Sequence, residues 1–483
     1  MQFRVFPLFV VLIGLLASPM LFADEASDLA DMKDIVKKLN ARIEKLEQEQ
    51  VGTMHKEELA RLMKEILEDV KTQPTVPKWM ENLTFFGDLR LRYQLDHYSG
   101  RSGTLGASGY STRQKNLNRI RFRLRFGFIK TWWDNQLEVG FRLASGNGPS
   151  TYDPDGSTPR SVNQTLTNMF SKKPIWIDLA YAKYRPKWAP GLVLAGGKMS
   201  NPIKSRTWMT WAPDINPEGF VAQYVAPYWG NVRPYVTAGI WFLENTTNMG
   251  TNVITAAANN TTRNATMVSI GSGVDWEIQK DMSLYFGGTM YMFSDYNCTG
   301  IGSTGIDGSW VNNSGWADSD MQLLELTSRF SWKMLGLPWE VVASWAHNFS
   351  DSYSSNTALG LNNTSGLSLS YNPEFDGASD AMLVGIKVGK NKKKGDWSAF
   401  YNYCYMEANS VAAGLTDASF NGPNRQGHVF GGEYNIDDFF TISSSVYLTD
   451  PIHSFDTWNG TAWEADSNRG EALTLQVNLV WKF

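Results

Sequence analysis

The chain has 483 residues, 42% of them hydrophobic, with 44 basic against 48 acidic side chains and a formal charge of −4. So thin an apolar supply leaves a conventional core of this length under-filled, and the missing basic excess excludes nucleic acid as a principal partner. Aromatic residues reach 13%, while two cysteines, Cys298 and Cys404, are too few for a disulfide scaffold; a single bridge between them stays open.

The chain opens on MQFRVFPLFVVLIGLLASPMLFA. Arg4, an apolar run over 5–17 and small or neutral residues to Ala23 predict a secretory signal peptide, residues 1–23. The run is shorter than the roughly 20 apolar residues of a spanning helix. Residues 24–73 carry Leu29, Met32, Val36, Leu39, Ile43 and Leu46 in steps of three and four among charged side chains, the a/d seam of a coiled coil. A stutter at 51–53 precedes Leu59, Leu62, Ile66 and Val70. Pro74 and Pro77 end the helix, and residues 74–82 form a linker. A single amphipathic helix packed on a domain is the alternative.

From residue 83 to 483 the period changes to two, as in LTFFGDLRLRYQL, RIRFRLRFGFI and LTLQVNLVWKF. About sixteen such runs follow one another, joined alternately by short turns and by long loops rich in Asn, Ser, Thr and Gly. Lipid offers backbone groups no hydrogen bonds, so a sheet survives there only when closed on itself. Export, an even strand number and alternating connection lengths predict an all-β transmembrane barrel of antiparallel strands. Trp79, Trp132, Trp133, Trp188, Trp229, Trp332 and Trp339 fall beside the short turns, where interfacial rings gather.

In RIRFRLRFGF, Arg119, Arg121, Arg123 and Arg125 share one face, opposite Ile120, Phe122, Leu124, Phe126 and Phe128. Arg90 and Arg92 share a face with Asp88 on the preceding strand. An arginine facing lipid near the midplane costs about 2–4 kcal/mol, so the ladder is expected to line the pore. A wall whose charges are neutralised by Asp88 and Glu138, with no bearing on selectivity, is the alternative.

The closing strand places Val477, Leu479, Trp481 and the terminal Phe483 in phase. It resembles the signal read by the barrel-insertion machinery of Gram-negative outer membranes. Signal peptide, coiled coil, barrel and the ending VNLVWKF together resemble the outer-membrane porins of the "putative porin" group, similar in layout to phosphate-selective porins. The resemblance implies passive diffusion of small hydrophilic solutes through a homotrimer set in outer-membrane lipid, with the coiled coil in the periplasm. It also implies a third long loop folded inward as a constriction. Here that loop is SNPIKSRTWMTWAPDINPEG, in which Asp214 and Glu218 are the candidate lumen-facing carboxylates; plain turn formation is the other reading.

No metal, nucleotide or haem motif is present, and no cofactor is expected. Five histidines, His55, His97, His347, His428 and His453, lie scattered without a nucleophile motif, which argues against an enzyme. A tether reaching the cell wall through the coiled coil is the competing function. A chain shortened to begin near Trp79 is expected to lose cross-linked trimer and heat resistance relative to the full chain. Equal assembly of the two would reduce the helical segment to a spacer.

Overall fold

A computed structural model describes residues 80–98, 102–106, 109–113, 116–146, 161–166, 169–170, 172–246, 263–294, 321–350, 378–412, 414–452, 455–458, 463–466 and 471–483. The expected signal peptide, the coiled coil, most of the linker and Cys298 lie outside the described residues.

The alternating runs form strands β1 (Leu83–Tyr98), β2 (Leu117–Trp132), β3 (Leu137–Ser145), β4 (Ile175–Tyr184), β5 (Leu192–Lys198), β6 (Glu218–Val225), β7 (Val232–Thr246) and β8 (Arg263–Gln279). They continue as β9 (Met282–Ser294), β10 (Gln322–Met334), β11 (Leu337–Asn348), β12 (Asp380–Gly389), β13 (Trp397–Met406), β14 (Arg425–Asp437), β15 (Phe440–Pro451) and β16 (Ala472–Lys482). Neighbours in sequence pair antiparallel, and β1 bonds to both β2 and β16, so the sheet closes into a sixteen-strand barrel. A two-residue strand, Gln164–Thr165, adds to β2 beside Arg121 and Phe122. Hairpins Ser102–Gly106 with Gly109–Arg113 and Phe455–Trp458 with Trp463–Asp466 decorate two of the long loops.

Period two sorts the faces. On β16, Ala472, Thr474, Gln476 and Asn478 are buried towards the lumen, while the alternate residues form the outer face. Outward-facing Phe85, Ile120, Phe126, Ile240, Phe286 and Met382 are exposed, an apolar belt suited to hydrocarbon rather than water. The tight links are short enough to need left-handed backbone: Leu335 (φ 53°) and Gly336 (φ 79°) alone join β10 to β11. Two central residues at positive φ match the twist of a hairpin. Trp132, Trp133, Trp188 and Trp229, all exposed, stand at this turn end.

The last residue completes the closure. Gly87 N donates to Phe483 O at 2.7 Å and Phe483 N returns a bond to Gly87 O at 3.1 Å. Phe440 and Trp481 stack nearby at 4.8 Å. A Cβ on Gly87 would stand 2.5 Å from both the Arg125 carbonyl oxygen and the Phe483 ring. Overpacking of this kind costs about 1–3 kcal/mol. Gly87→Ala is therefore expected to lower the temperature at which the folded band unfolds on unboiled gels; an unchanged temperature would mean the Phe483 ring moves aside freely.

Candidate pore and constriction

The β1–β2 register sets Arg90 opposite Arg123 and Arg92 opposite Arg121. Like charges directly opposite repel, and polar groups from three directions separate them. Asp88 accepts from Arg123 Nη2 at 2.8 Å and from Arg125 Nε at 2.6 Å. Asp96 accepts from Arg119 Nη2 at 2.5 Å and from Thr474 Oγ1 at 3.0 Å. Gln94 Oε1 accepts from Arg121 Nη1 at 3.0 Å, and Asn163 Oδ1 from Arg90 Nη2 at 2.5 Å. Arg92 donates Nε to Asn478 Oδ1 at 2.6 Å.

Across from this strip the lumen is filled by apolar side chains. The third long loop (199–217) buries Met199, Ile203, Met209, Trp211 and Ile215, and the seventh (407–424) buries Val411, Leu415 and Phe420. Both pack on inward residues of β7 to β14, including Trp241, Met267, Tyr291, Leu383 and Met406. Burying one large apolar side chain is worth about 1.5–3 kcal/mol, so the wedge is held chiefly by its own hydrophobic contacts. Ala212 N donates to Leu415 O at 2.6 Å and Asp417 N to Trp208 O at 3.2 Å, with the Trp208 and Phe420 rings 5.2 Å apart. The two loops act as one body. Cys404 lies in the same core as a buried free thiol.

Three alternate residues of β10 fasten the third loop to the wall. Glu325, fully buried, accepts from Thr207 N (2.8 Å), Thr207 Oγ1 (2.9 Å), Thr210 Oγ1 (2.7 Å) and Tyr291 OH (3.0 Å). Thr327 Oγ1 donates to Ser205 O at 2.6 Å, and Arg329 donates to the carbonyls of Lys204 and Arg206 at 3.0 Å each. A strand that presents one side chain every second residue thus grips successive residues of the loop.

Between strip and wedge remains a cavity of about 490 Å³ lined by Arg90, Arg92, Arg119 and Arg121 on one side and Asp214, Asp417 and Ser419 on the other. Gln476 Nε2 donates to Ser419 Oγ at 2.9 Å, fixing the tip of the seventh loop against β16. Burial pushes the Asp417 carboxyl above the ordinary aspartate range; nearby Asp214 adds to the rise, while the Ser419 hydrogen bonds and Arg92 oppose it.

The structure brings Asp214 to the strip, 3.5 Å from Arg123 Nη1 and 3.9 Å from Arg90 Nη2. That is contact rather than opposition across an open lumen. Glu218 differs from expectation: it begins β6, where the register sets it opposite Lys198, and its Oε1 accepts from Lys198 Nζ at 2.6 Å, apart from the arginines. Arg123 and Arg125 are held on Asp88, while the other four arginines of the strip border the cavity. Val477, Leu479 and Trp481 lie on the outer face of β16 opposite Tyr93, Leu91 and Leu89 of β1. The seventh loop and the Glu325 anchor were not foreseen. The seventh loop's run of Val411, Ala412, Leu415 and Phe420, apolar like the third loop's Trp208, Met209 and Trp211, was the available signal.

A family model described as "Putative porin" matches residues 41–313 and 305–467. The chain belongs to this family. A comparison with curated proteins found no match. Among solved structures, Pseudomonas putida OprB at high pH is 9% identical with a TM-score of 0.47, the match covering 83% of this chain and 94% of that one. A mutant of the Rh. blastica porin is 10% identical with a TM-score of 0.39, covering 83% and 100%. The family and the closed barrel support an outer-membrane channel.

Replacing Glu325 by Leu strands buried donors at about 1–3 kcal/mol each. The third loop of the porin is expected to loosen and the single-channel conductance to rise and become noisy; an unchanged, quiet conductance would make the anchor dispensable. Acidification should neutralise Asp417 while ordinary aspartates remain charged, moving the reversal potential towards anions as pH falls through that raised pKa. The Asp417→Asn porin should lack this step, and its persistence there would assign the titration elsewhere.

Proposed function

We propose that this porin passes small hydrophilic solutes and ions between the arginine strip and the tips of the third and seventh loops, with a mild anion preference. What supports the reading is the charge layout. Arg90, Arg92, Arg119, Arg121, Arg123 and Arg125 form one strip, their stems about 7 Å apart along each strand. That spacing is within the Debye length of about 8 Å at physiological salt, so the potentials overlap. Asp88, Asp96, Asp214 and Asp417 stand among or opposite them, which keeps the preference small and sensitive to salt.

The same proposal takes residues 24–73 as a periplasmic coiled coil of a homotrimer. It takes Val477, Leu479, Trp481 and Phe483 as the segment the insertion machinery reads. A tether to the cell wall is the second reading, and the apolar wedge that fills one side of the lumen favours it.

Reversal potentials across a KCl gradient test the proposal. The full chain should show a modest anion preference, and replacing Arg121 and Arg123 by Ser should shift the potential towards cations. Potentials that do not move would make the strip wall chemistry without influence on permeation.

A further inference from the structure

Two charged groups face this cavity without a contact ion pair between them, although the Arg92 charge is felt at Asp417. Arg92 commits only Nε, to Asn478 Oδ1. Among the described residues neither of its terminal nitrogens has an acceptor, and no carboxylate lies within ion-pair distance. Its neighbour Arg90 keeps a buried Nε without a partner and reaches Asp214 only at 3.9 Å. A guanidinium presents a planar fork of donors shaped for a carboxylate.

On the other side, Asp417 takes a bond from Ser419 N at 2.9 Å and a long one from Tyr447 OH at 3.3 Å. Among the described residues no cation lies within ion-pair distance of it, and the Arg92 charge acts on it without contact. Glu433, which also lines the cavity, is bonded by the Asn391 amide rather than by a cation. Arg92 and Asp417 border one cavity without forming an ion pair with each other. Hydrogen-bonding walls, Ser443, Ser445 and Gln476 among them, surround the space between.

We propose that this cavity is a binding site for small zwitterions of the free amino-acid class, with the solute carboxylate on the Arg92 fork and its ammonium on Asp417. The inference rests on the porin reading and names its solute. A solute bearing both charges satisfies both groups at once. A simple anion satisfies Arg92 but meets Asp214 and Asp417 beyond it, and a dianion such as inorganic phosphate meets them at greater cost. A simple amine satisfies Asp417 but faces four arginines. A neutral sugar leaves both charges uncompensated.

The test is the KCl current through the full chain in planar bilayers at pH 7, titrated with L-alanine, acetate, ethylammonium, inorganic phosphate and glucose. L-alanine should lower the current saturably, half-blocking at a concentration at least about tenfold below acetate or ethylammonium. Arg92→Gln should raise the alanine half-block about tenfold and leave ethylammonium the better blocker. Asp417→Asn should raise it similarly and leave acetate the better one. Alanine no better than its two half-ligands overturns the proposal from the full chain alone, whatever the variants do. Phosphate blocking more strongly than alanine overturns it in favour of a plain anion site. A normal KCl current without alanine block defeats only this inference, whereas no current at all defeats the porin reading beneath it.

Discussion

Backbone amides in hydrocarbon have no water to turn to, and the rest of the structure follows from that constraint. The strands must bond to one another around a complete circle. β1 therefore meets β16, and the chain's last residue bonds to Gly87. Closure also fixes the alternation: each strand shows one face to lipid and one to the lumen. The arginines of β2 face inward because their alternate neighbours, Phe122, Leu124 and Phe126, supply the lipid face.

A sixteen-strand circle encloses more space than side chains from the wall can fill. Two inward loops take up part of it, and they divide the interior by chemistry. The β7–β14 side becomes an ordinary hydrophobic core, with Trp241, Tyr291 and Phe420 fully buried. The side made by β1, β2, β15 and β16 stays polar, with Arg, Asp, Ser, Gln and Asn. The modest apolar content of the chain is thus consistent with a real core, because that core occupies only one side of the lumen.

The barrel was legible because its signal is local and repeated. Alternation in β1, β2 and β16 can be read within ten residues, and the turn–loop rhythm gives the strand number. The arginine ladder was legible for the same reason. The wedge was not, since it depends on contacts between segments far apart in sequence. Glu325 reads as one more inward carboxylate on a strand, and only the folded third loop turns it into an anchor through Thr207 and Thr210. Glu218 was misplaced by a boundary: it reads as the end of a loop, but pairing with Lys198 makes it the start of a strand. Asp214 can be named from its residue type, but its contact with Arg90 and Arg123 exists only once the third loop has folded.

Permeation requires an aqueous path beside the wedge. Single-channel recording of the purified full chain in planar bilayers measures that path directly. Discrete, ohmic current steps are expected as the folded protein inserts. Folded, inserted protein that stays electrically silent would contradict the channel reading, leaving a filled barrel that serves only as an anchor.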